Sequence, residues 1–447
     1  MLFNSYSFIF FFLLPVATVF FLLRPAYRFG FLLLVSIVFY GQWNSAHLGL
    51  LLLSALLNYL FSLRLAQGDY RGMVLGMAIA LNLLPLIYFK YSFFLHLSSH
   101  SLVLPLAISF YTFQQIAFLA DVYQKKIKPG TFTEYLFFVI FFPQLVAGPI
   151  VHYREIMEQV HAGALERGKE IFVQAGIVLF SLGLFKKVVL ADQLFPFADN
   201  AFGHVATLNS MDAWTGMFAY SFGIYFDFSG YTDMAIGLAL LFGIKLPVNF
   251  NSPYRAVDIV DFWRRWHITL SHFLRDYIYI PLGGNRKGEK KEIFNLIVTM
   301  TLGGIWHGSG WTFLLWGLLH GILLSIVHLK NRYFGQWKLP MVFAIPVTFV
   351  IVSLLWVLFR AENIAEAWNY YEVLFRFDTG MQEKYTLFWL LAGLGIVWFL
   401  PNSMAFIGYR TKLKIRQKHI AIAAIFLFIA LKLMAEAPAQ RFVYFNF

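Results

Sequence analysis

Apolar runs of about fifteen to twenty residues follow one another along this chain, separated by short polar turns that carry Lys and Arg. Such runs predict membrane-crossing helices, because a bilayer core of roughly 30 Å takes about 20 residues at 1.5 Å rise. The first spans 6–23 and is followed by Arg24 and Arg28. Runs at 29–43 and 46–63 lead to Arg64 and Arg71, and runs at 72–89 and 102–120 lead to Lys125, Lys126 and Lys128. No Lys or Arg precedes the first run, so the positive-inside rule puts the N-terminus outside.

Residues 132–150 are apolar but lie between two basic, cytoplasmic signals and contain Pro143, Gly148 and Pro149. A re-entrant segment keeps the inside–outside count where a full span would break it. The run at 169–190 then crosses outward. Between Val188 and Ile244 there are five aspartates and no Lys or Arg, which predicts an outer loop near 192–212 and a return segment, 213–243, broken at Ser229-Gly230 between Asp227 and Asp233.

From Asp258 to Tyr277 the period changes. Ile259, Phe262, Trp263, Trp266, Leu270, Phe273 and Leu274 fall on one helical face, with Asp261, Arg264, Arg265 and Arg275 opposite. This pattern predicts a single amphipathic helix lying at the cytoplasmic interface, with His267 turned into the protein. The apolar run from Ile293 to Trp306 would reach only about 21 Å. Gly308 and Gly310 interrupt it, and a second run, 311–329, returns to Lys330 and Arg332, leaving His307 at membrane depth. Runs at 339–359 and 386–401 follow, with a polar outer loop, 360–385, between them. The basic loop Arg410–Lys418 is cytoplasmic, so the last run, 420–435, delivers the tail Arg441–Phe447 to the outer face.

The expected fold class is thus an all-α polytopic membrane protein of about 11–12 transmembrane helices, with re-entrant and interfacial helices. It forms one membrane domain, 1–447, with a catalytic core at 213–330 and a C-terminal span and outer tail at 420–447. Composition agrees: 60% of the 447 residues are hydrophobic and 13% charged, against about 25% charged in soluble domains. The net charge of +12 marks cytoplasmic loops rather than a nucleic-acid surface. Cysteine is absent, which excludes disulfides, thiolate metal sites and a cysteine nucleophile. Phosphate-binding, dinucleotide-binding, nucleophile-elbow and His-Glu-x-x-His motifs are absent too.

What remains is two Trp-His pairs, Trp266-His267 and Trp306-His307. A buried imidazole is favoured neutral and can take a proton from a hydroxyl as that hydroxyl attacks an activated acyl group. A second histidine can orient the first or donate to the carbonyl oxygen. A basic cytoplasmic mouth at Arg264, Arg265, Asn285, Arg286 and Lys287 suits an anionic donor such as an acyl-coenzyme A. His320 reads as a packed helix histidine. A transporter with a polar midplane and a non-catalytic scaffold are the competing classes.

Asp261–His267, Arg275–Lys287 and Gly304–Gly308, together with Tyr225–Gly237 and Ser109–Phe113, resemble the bacterial membrane-bound O-acyltransferases. Pro281–Lys287 is most similar to the alginate O-acetylation branch; the D-alanyl transfer branch is more distant. The resemblance covers most of the chain. It implies a many-helix membrane fold with a central tunnel, His307 as catalytic histidine, His267 as its partner and Trp306 beside the donor. It implies acetyl-coenzyme A as donor, no permanently bound cofactor, no metal, and a polysaccharide acceptor outside the inner membrane. Alginate-like exopolysaccharide leads, with peptidoglycan, cellulose and D-alanyl-teichoic acid as alternatives. The tail, with Tyr444 among Phe442, Phe445 and Phe447, looks like the tyrosine-bearing ends of that branch. Tyr444 would then carry the acyl group as a transient ester to an extracytoplasmic SGNH-hydrolase-like partner; the alternative is an aromatic anchor.

Overall fold

The structure, a computed structural model, describes residues 2–443 apart from 99, 101, 147, 167–168, 336–338, 379–383 and 437–441. The side chain of Lys384 is also outside the description. All regular structure among the described residues is helical. The residues fall into two compact units. The first comprises the described residues of Met1–Leu184, Tyr231–Pro247 and the stretch from Thr411 on; the second comprises those of Phe185–Gly230 and Val248–Arg410.

In the first unit a π-helical turn, Ser7–Leu13, runs into α1 (Leu14–Leu22), followed by α2 (Pro25–Gly41), α3 (Ser45–Gln67), α4 (Arg71–Tyr91) and α5 (Ile108–Tyr123). Pro25 sits in the first turn of α2, where its missing N–H costs nothing. The Asn44 side chain caps α3 by accepting from the N–H groups of Ala46 and His47. With little hydrophobic drive between helices in lipid, polar side chains hold them together. Asn58 and Asn82 exchange amide hydrogen bonds at 2.6 and 3.0 Å, and Asn58 also donates to Gln115 at 3.1 Å.

The segment expected to be re-entrant forms two short helices, α6 (Phe132–Ile140) and α7 (Phe142–Leu145), with the non-helical residue Phe141 between them. Residues 135–145 are buried throughout, as non-helical backbone must be if it is not to face lipid. α8 (Tyr153–His161) and α9 (Glu170–Phe185) complete this stretch.

Two expectations fail in the next region. The chain does not leave the helix after residue 190. It passes through a π-helical turn, Lys186–Ala191, directly into α10 (Asp192–Gly203), so most of the expected outer loop is helical. Lys187, 1% exposed, serves two of the carboxylates of this region, at 2.7 Å from Asp192 and 2.8 Å from Asp227. The return segment is likewise unbroken. α11 runs for 32 residues, Ser210–Leu241, straight through Ser229-Gly230. A glycine inside a helix costs only about 1 kcal/mol, and every residue from 219 to 240 is buried, so packing overrides local propensity. Asp227 and Asp233 both lie in the body of α11.

The expected interfacial helix is three pieces rather than one. α12 (Ile259–Trp263), α13 (Ile268–Leu274) and a π-helical turn, Arg275–Tyr279, follow one another, with a bend at Arg264–His267. The facial assignment nevertheless holds. Ile259, Phe262, Trp263, Trp266, Leu270, Phe273 and Leu274 are buried, Arg264 and Arg275 are exposed, and Asp261 and Arg265 are half-buried.

α14 (Glu289–His307) and α15 (Trp311–Tyr333) form a helical hairpin whose turn is Gly308–Gly310. α14 begins four residues before the apolar run and rises about 28 Å, longer than the run alone allows. Glycines bring the two backbones together: a Cβ on Gly317 would meet the Cα atoms of Gly304 and Thr301 at 3.0 Å, and one on Gly321 would meet Ile297 Cα at 2.7 Å. α16 (Met341–Arg360) follows. The polar loop expected at 360–385 contains a further helix, α17 (Ile364–Leu374), capped by Asn363. α18 (Lys384–Phe399), α19 (Ser403–Phe406) and α20 (Gln417–Glu436) close the chain.

Among the described residues six helical stretches are long and apolar enough to cross a membrane: Ser45–Gln67, Arg71–Tyr91, Glu170–Gly203, Trp311–Tyr333, Met341–Arg360 and Gln417–Glu436. Ser7–Leu22, Pro25–Gly41 and Tyr385–Phe399 are shorter apolar helices.

Candidate active site

The second unit carries both Trp-His pairs. α14 ends on His307, which is 3% exposed. Its ring lies nearly edge-on to those of Trp306 at 4.8 Å, Trp316 of α15 at 5.3 Å and Phe359 of α16 at 5.2 Å. Gly308 ends the helix in extended backbone, and a Cβ there would strike the Phe313 ring. The glycine is what lets the chain turn directly behind the histidine.

His267 comes from the bend between α12 and α13 and is fully buried. Its backbone is left-handed, φ +41°. Few non-glycine residues adopt that conformation, and it persists only where the surroundings impose it. Here they do: the Ile268 N–H donates to the Asn249 carbonyl at 2.9 Å, and the Asn251 N–H donates to the Arg265 carbonyl at 2.9 Å. The imidazole lies edge-on to Phe228 at 4.8 Å and to Trp306 at 6.3 Å. Burial pushes it below the ordinary histidine range, to about 3, so the ring is neutral. Trp306 is therefore the shared neighbour of both histidines.

The other two tryptophans of these motifs build the wall. Trp266, 1% exposed, packs on Trp356 at 5.0 Å. The Trp263 indole N–H donates to Nδ1 of His320 at 3.1 Å. His320 is fully buried between Trp263 and Trp316.

A cavity of about 380 Å³ opens beside this wall. Trp263, Ile268, Leu274, Leu296, Met300 and Leu324 supply its apolar lining, and Arg264, His272, Arg275, Tyr279 and His328 its polar one. Of the residues expected at the basic mouth, Arg264 lines this cavity. Arg265 does not; it pairs with Asp261 at 2.8 Å. Asn285, Arg286 and Lys287 are exposed on a turn that starts beside Tyr279, where the Gly284 N–H donates to the Tyr279 carbonyl at 2.9 Å. Gly283 and Gly284 both have positive φ, and the buried Asn295 amide holds the Gly284 carbonyl at 2.8 Å. Tyr444 lies outside the described residues.

A sequence model described as the membrane-bound O-acyltransferase family matches residues 123–343, which include every motif of this site. The peptidoglycan O-acetyltransferase of Helicobacter pylori is 43% identical to this chain over 415 residues, 82% of this chain and 78% of that protein. This chain belongs to the membrane-bound O-acyltransferase family. A probable alginate O-acetylase of Azotobacter vinelandii is 40% identical over 405 residues, 84% of this chain and 78% of the relative. The teichoic acid D-alanyltransferase of Bacillus subtilis is 28% identical over 284 residues, 60% of this chain and 71% of that protein.

As a family member the chain is a multi-pass membrane enzyme and an O-acyltransferase, which sets aside the transporter and scaffold classes. Such an enzyme must bring a neutral base and an acyl donor together away from water. The aromatic shell of this site excludes water from two imidazoles. Three residues of the site carry no signal by themselves. Asn249 lies in a short loop eighteen positions before the histidine it holds. Asn295 looks like one polar residue in an apolar run. Trp263 reads as part of an apolar face, with nothing to show that its N–H points at His320.

Proposed function

We propose that this membrane-bound O-acyltransferase moves acetyl from cytoplasmic acetyl-coenzyme A toward hydroxyls of an alginate-like exopolysaccharide outside the bacterial inner membrane, with both termini of the chain outside. The observation that carries the reading is that His267 and His307, forty positions apart, both lie buried against the ring of Trp306. The hydroxyl oxygen attacks the thioester carbonyl carbon while its proton passes to the neutral His307 imidazole. The C–S bond then breaks, and the proton goes on to the departing thiolate. His267 is the partner group of this step.

The 380 Å³ cavity supports donor entry from the basic face: its apolar body suits a pantetheine arm, and Arg264 and Arg275 suit the phosphates of coenzyme A. Coenzyme A is a substrate here, and the reading calls for no resident cofactor or metal. In the relay the attacking hydroxyl is that of Tyr444, and the tyrosyl ester then passes its acyl group to a hydroxyl of an SGNH-hydrolase-like partner, whose proton returns to the Tyr444 oxygen as the ester bond breaks. Phe442, two residues before Tyr444, is 1% exposed and stacks on Tyr231 at 4.8 Å, so this part of the tail is docked rather than loose. The identity to the Helicobacter pylori peptidoglycan O-acetyltransferase favours peptidoglycan as a second acceptor.

The test uses the full chain in lipid nanodiscs and follows coenzyme A release from acetyl-coenzyme A. His307→Ala and His267→Ala should each lower the rate about 10²-fold or more. Wild-type turnover in both variants would overturn the reading. Acetyl content of exported polysaccharide and of muropeptides, in cells with and without the chain, separates the two acceptors.

A further inference from the structure

His267 has two ring nitrogens, and which one carries the proton decides what the ring can do. Nδ1 lies 3.1 Å from Oδ1 of Asn249. That oxygen also accepts from the Thr269 hydroxyl at 2.9 Å and from the Thr269 backbone N–H at 3.3 Å. The backbone N–H can only donate, so the atom facing it is the amide oxygen and not the amide nitrogen. An amide oxygen can only accept, so the His267 proton sits on Nδ1. Nε2 is left with its lone pair, and among the described residues it has no hydrogen-bond partner although it is buried.

His320 provides the contrast within the same unit. Its Nδ1 accepts from the Trp263 indole, so its proton sits on Nε2. Two fully buried histidines are thus held in opposite tautomers by the two kinds of partner.

We infer that Asn249, itself fully buried, is a positioning residue that holds His267 in the Nδ1–H form and presents Nε2 as an acceptor. This deepens the acyl-transfer reading and rests on it. Of the two roles open to a partner histidine, donating to the thioester carbonyl needs a hydrogen on Nε2, which this tautomer lacks. Accepting a hydrogen bond that orients His307, the base of the step, needs the bare lone pair, which it has. The same asparagine also shapes the bend, because its backbone carbonyl takes the Ile268 N–H at 2.9 Å. One residue therefore sets both the left-handed turn and the proton position.

The test has two arms on the full chain. In the first, histidine labelled with ¹⁵N in the ring is incorporated, and the His267 signals are assigned by their loss in His267→Gln. The resting protein should show a protonated Nδ1 and a bare Nε2; a proton on Nε2 would overturn the inference. In the second, coenzyme A release is measured for Asn249→Leu and Asn249→Asp. The leucine variant should lose about ten- to hundredfold in kcat, as metal-site ligands do when their outer partner is removed, with KM for acetyl-coenzyme A within about twofold.

The aspartate variant keeps an acceptor. It should recover most of the rate and move the acid limb of the pH profile upward, because a carboxylate favours the imidazolium. Equal loss in both variants with an unmoved acid limb would show that the side chain only supports the fold. If the leucine variant does not fold, the ring spectrum of the wild type and the profile of the aspartate variant still decide. If His267→Gln and His307→Ala both release coenzyme A at the wild-type rate, the acyl-transfer reading fails, while the ring spectrum still judges Asn249.

Discussion

The indole of Trp306 stands 6.3 Å from the ring of His267 and meets it edge-on, and it also lies 4.8 Å from the ring of His307. A side chain that touches both candidate catalytic rings sets their relative placement, and a displacement of about 1 Å can cost on the order of 10²-fold in rate.

Trp306→Phe keeps an aromatic ring in this position and Trp306→Leu removes it. We expect the phenylalanine variant to keep kcat within about tenfold of wild type and the leucine variant to lose about 10²-fold, with KM for acetyl-coenzyme A nearly unchanged in both. Steady-state coenzyme A release, corrected for folded protein, checks this. A rise in KM with constant kcat would instead make Trp306 a donor contact.

Arg264, Arg286 and Lys287 are all exposed, but Arg264 lines the cavity whereas Arg286 and Lys287 lie on the neighbouring turn. Charge reversal should therefore act in graded fashion. Arg264→Glu should raise KM for acetyl-coenzyme A by about tenfold or more, and the Arg286→Glu/Lys287→Glu pair by less, with kcat little changed in each. Added salt should shrink both effects, because all three charges are exposed to solvent and screened by it. Identical kinetics in wild type and Arg264→Glu would remove the cavity from the donor path.

Lys187 is buried with Asp192 and Asp227 at 2.7 and 2.8 Å. Removing one partner of a buried ion pair costs about 3–5 kcal/mol. Lys187→Met should lower the melting temperature in detergent sharply. The triple variant Lys187→Met/Asp192→Asn/Asp227→Asn should regain most of the loss. A single variant as stable as the wild type would mean that water reaches the triad.

The neutral, buried His267 has a consequence for stability. Its folded pKa, about 3, lies below the unfolded value near 6.5, so below pH 6.5 the unfolded chain binds a proton that the folded chain does not. Folding then weakens as pH falls from about 6.5 toward 3, by up to about 1.4 kcal/mol per pH unit from this residue. His267→Gln lacks this slope. Melting curves between pH 7 and pH 5 should bring the variant closer to the wild type at pH 5, and parallel pH dependence in the two would contradict the assignment.

The order and nature of the helices were legible in the chain itself. Uninterrupted apolar runs can bury their backbone polar groups only as helices, so α2, α3, α4, α16 and α20 lie where the runs lie. The turn behind His307 was legible for the same kind of local reason: Gly308 and Gly310 sit at the end of a run, and α14 stops there. The inward faces of α12 and α13 followed from their period.

What the tertiary structure alone decided is how these pieces meet. Ser229-Gly230 looks like a break, yet α11 passes through it, because burial from 219 to 240 outweighs a local cost of about 1 kcal/mol. The amphipathic stretch looks like one helix, yet it bends at Arg264–His267, because backbone hydrogen bonds from Asn249 and Asn251 clasp it there. Lys187 and Asp227 are forty positions apart and share no pattern, but a buried charge needs a partner, and the packing supplies it. The proton on His267 is set by an asparagine eighteen residues away. Hydropathy depends on each residue and its near neighbours. Tautomers, ion pairs and the bend depend on which distant atoms occupy the same few ångströms, and that is settled only when the chain has folded.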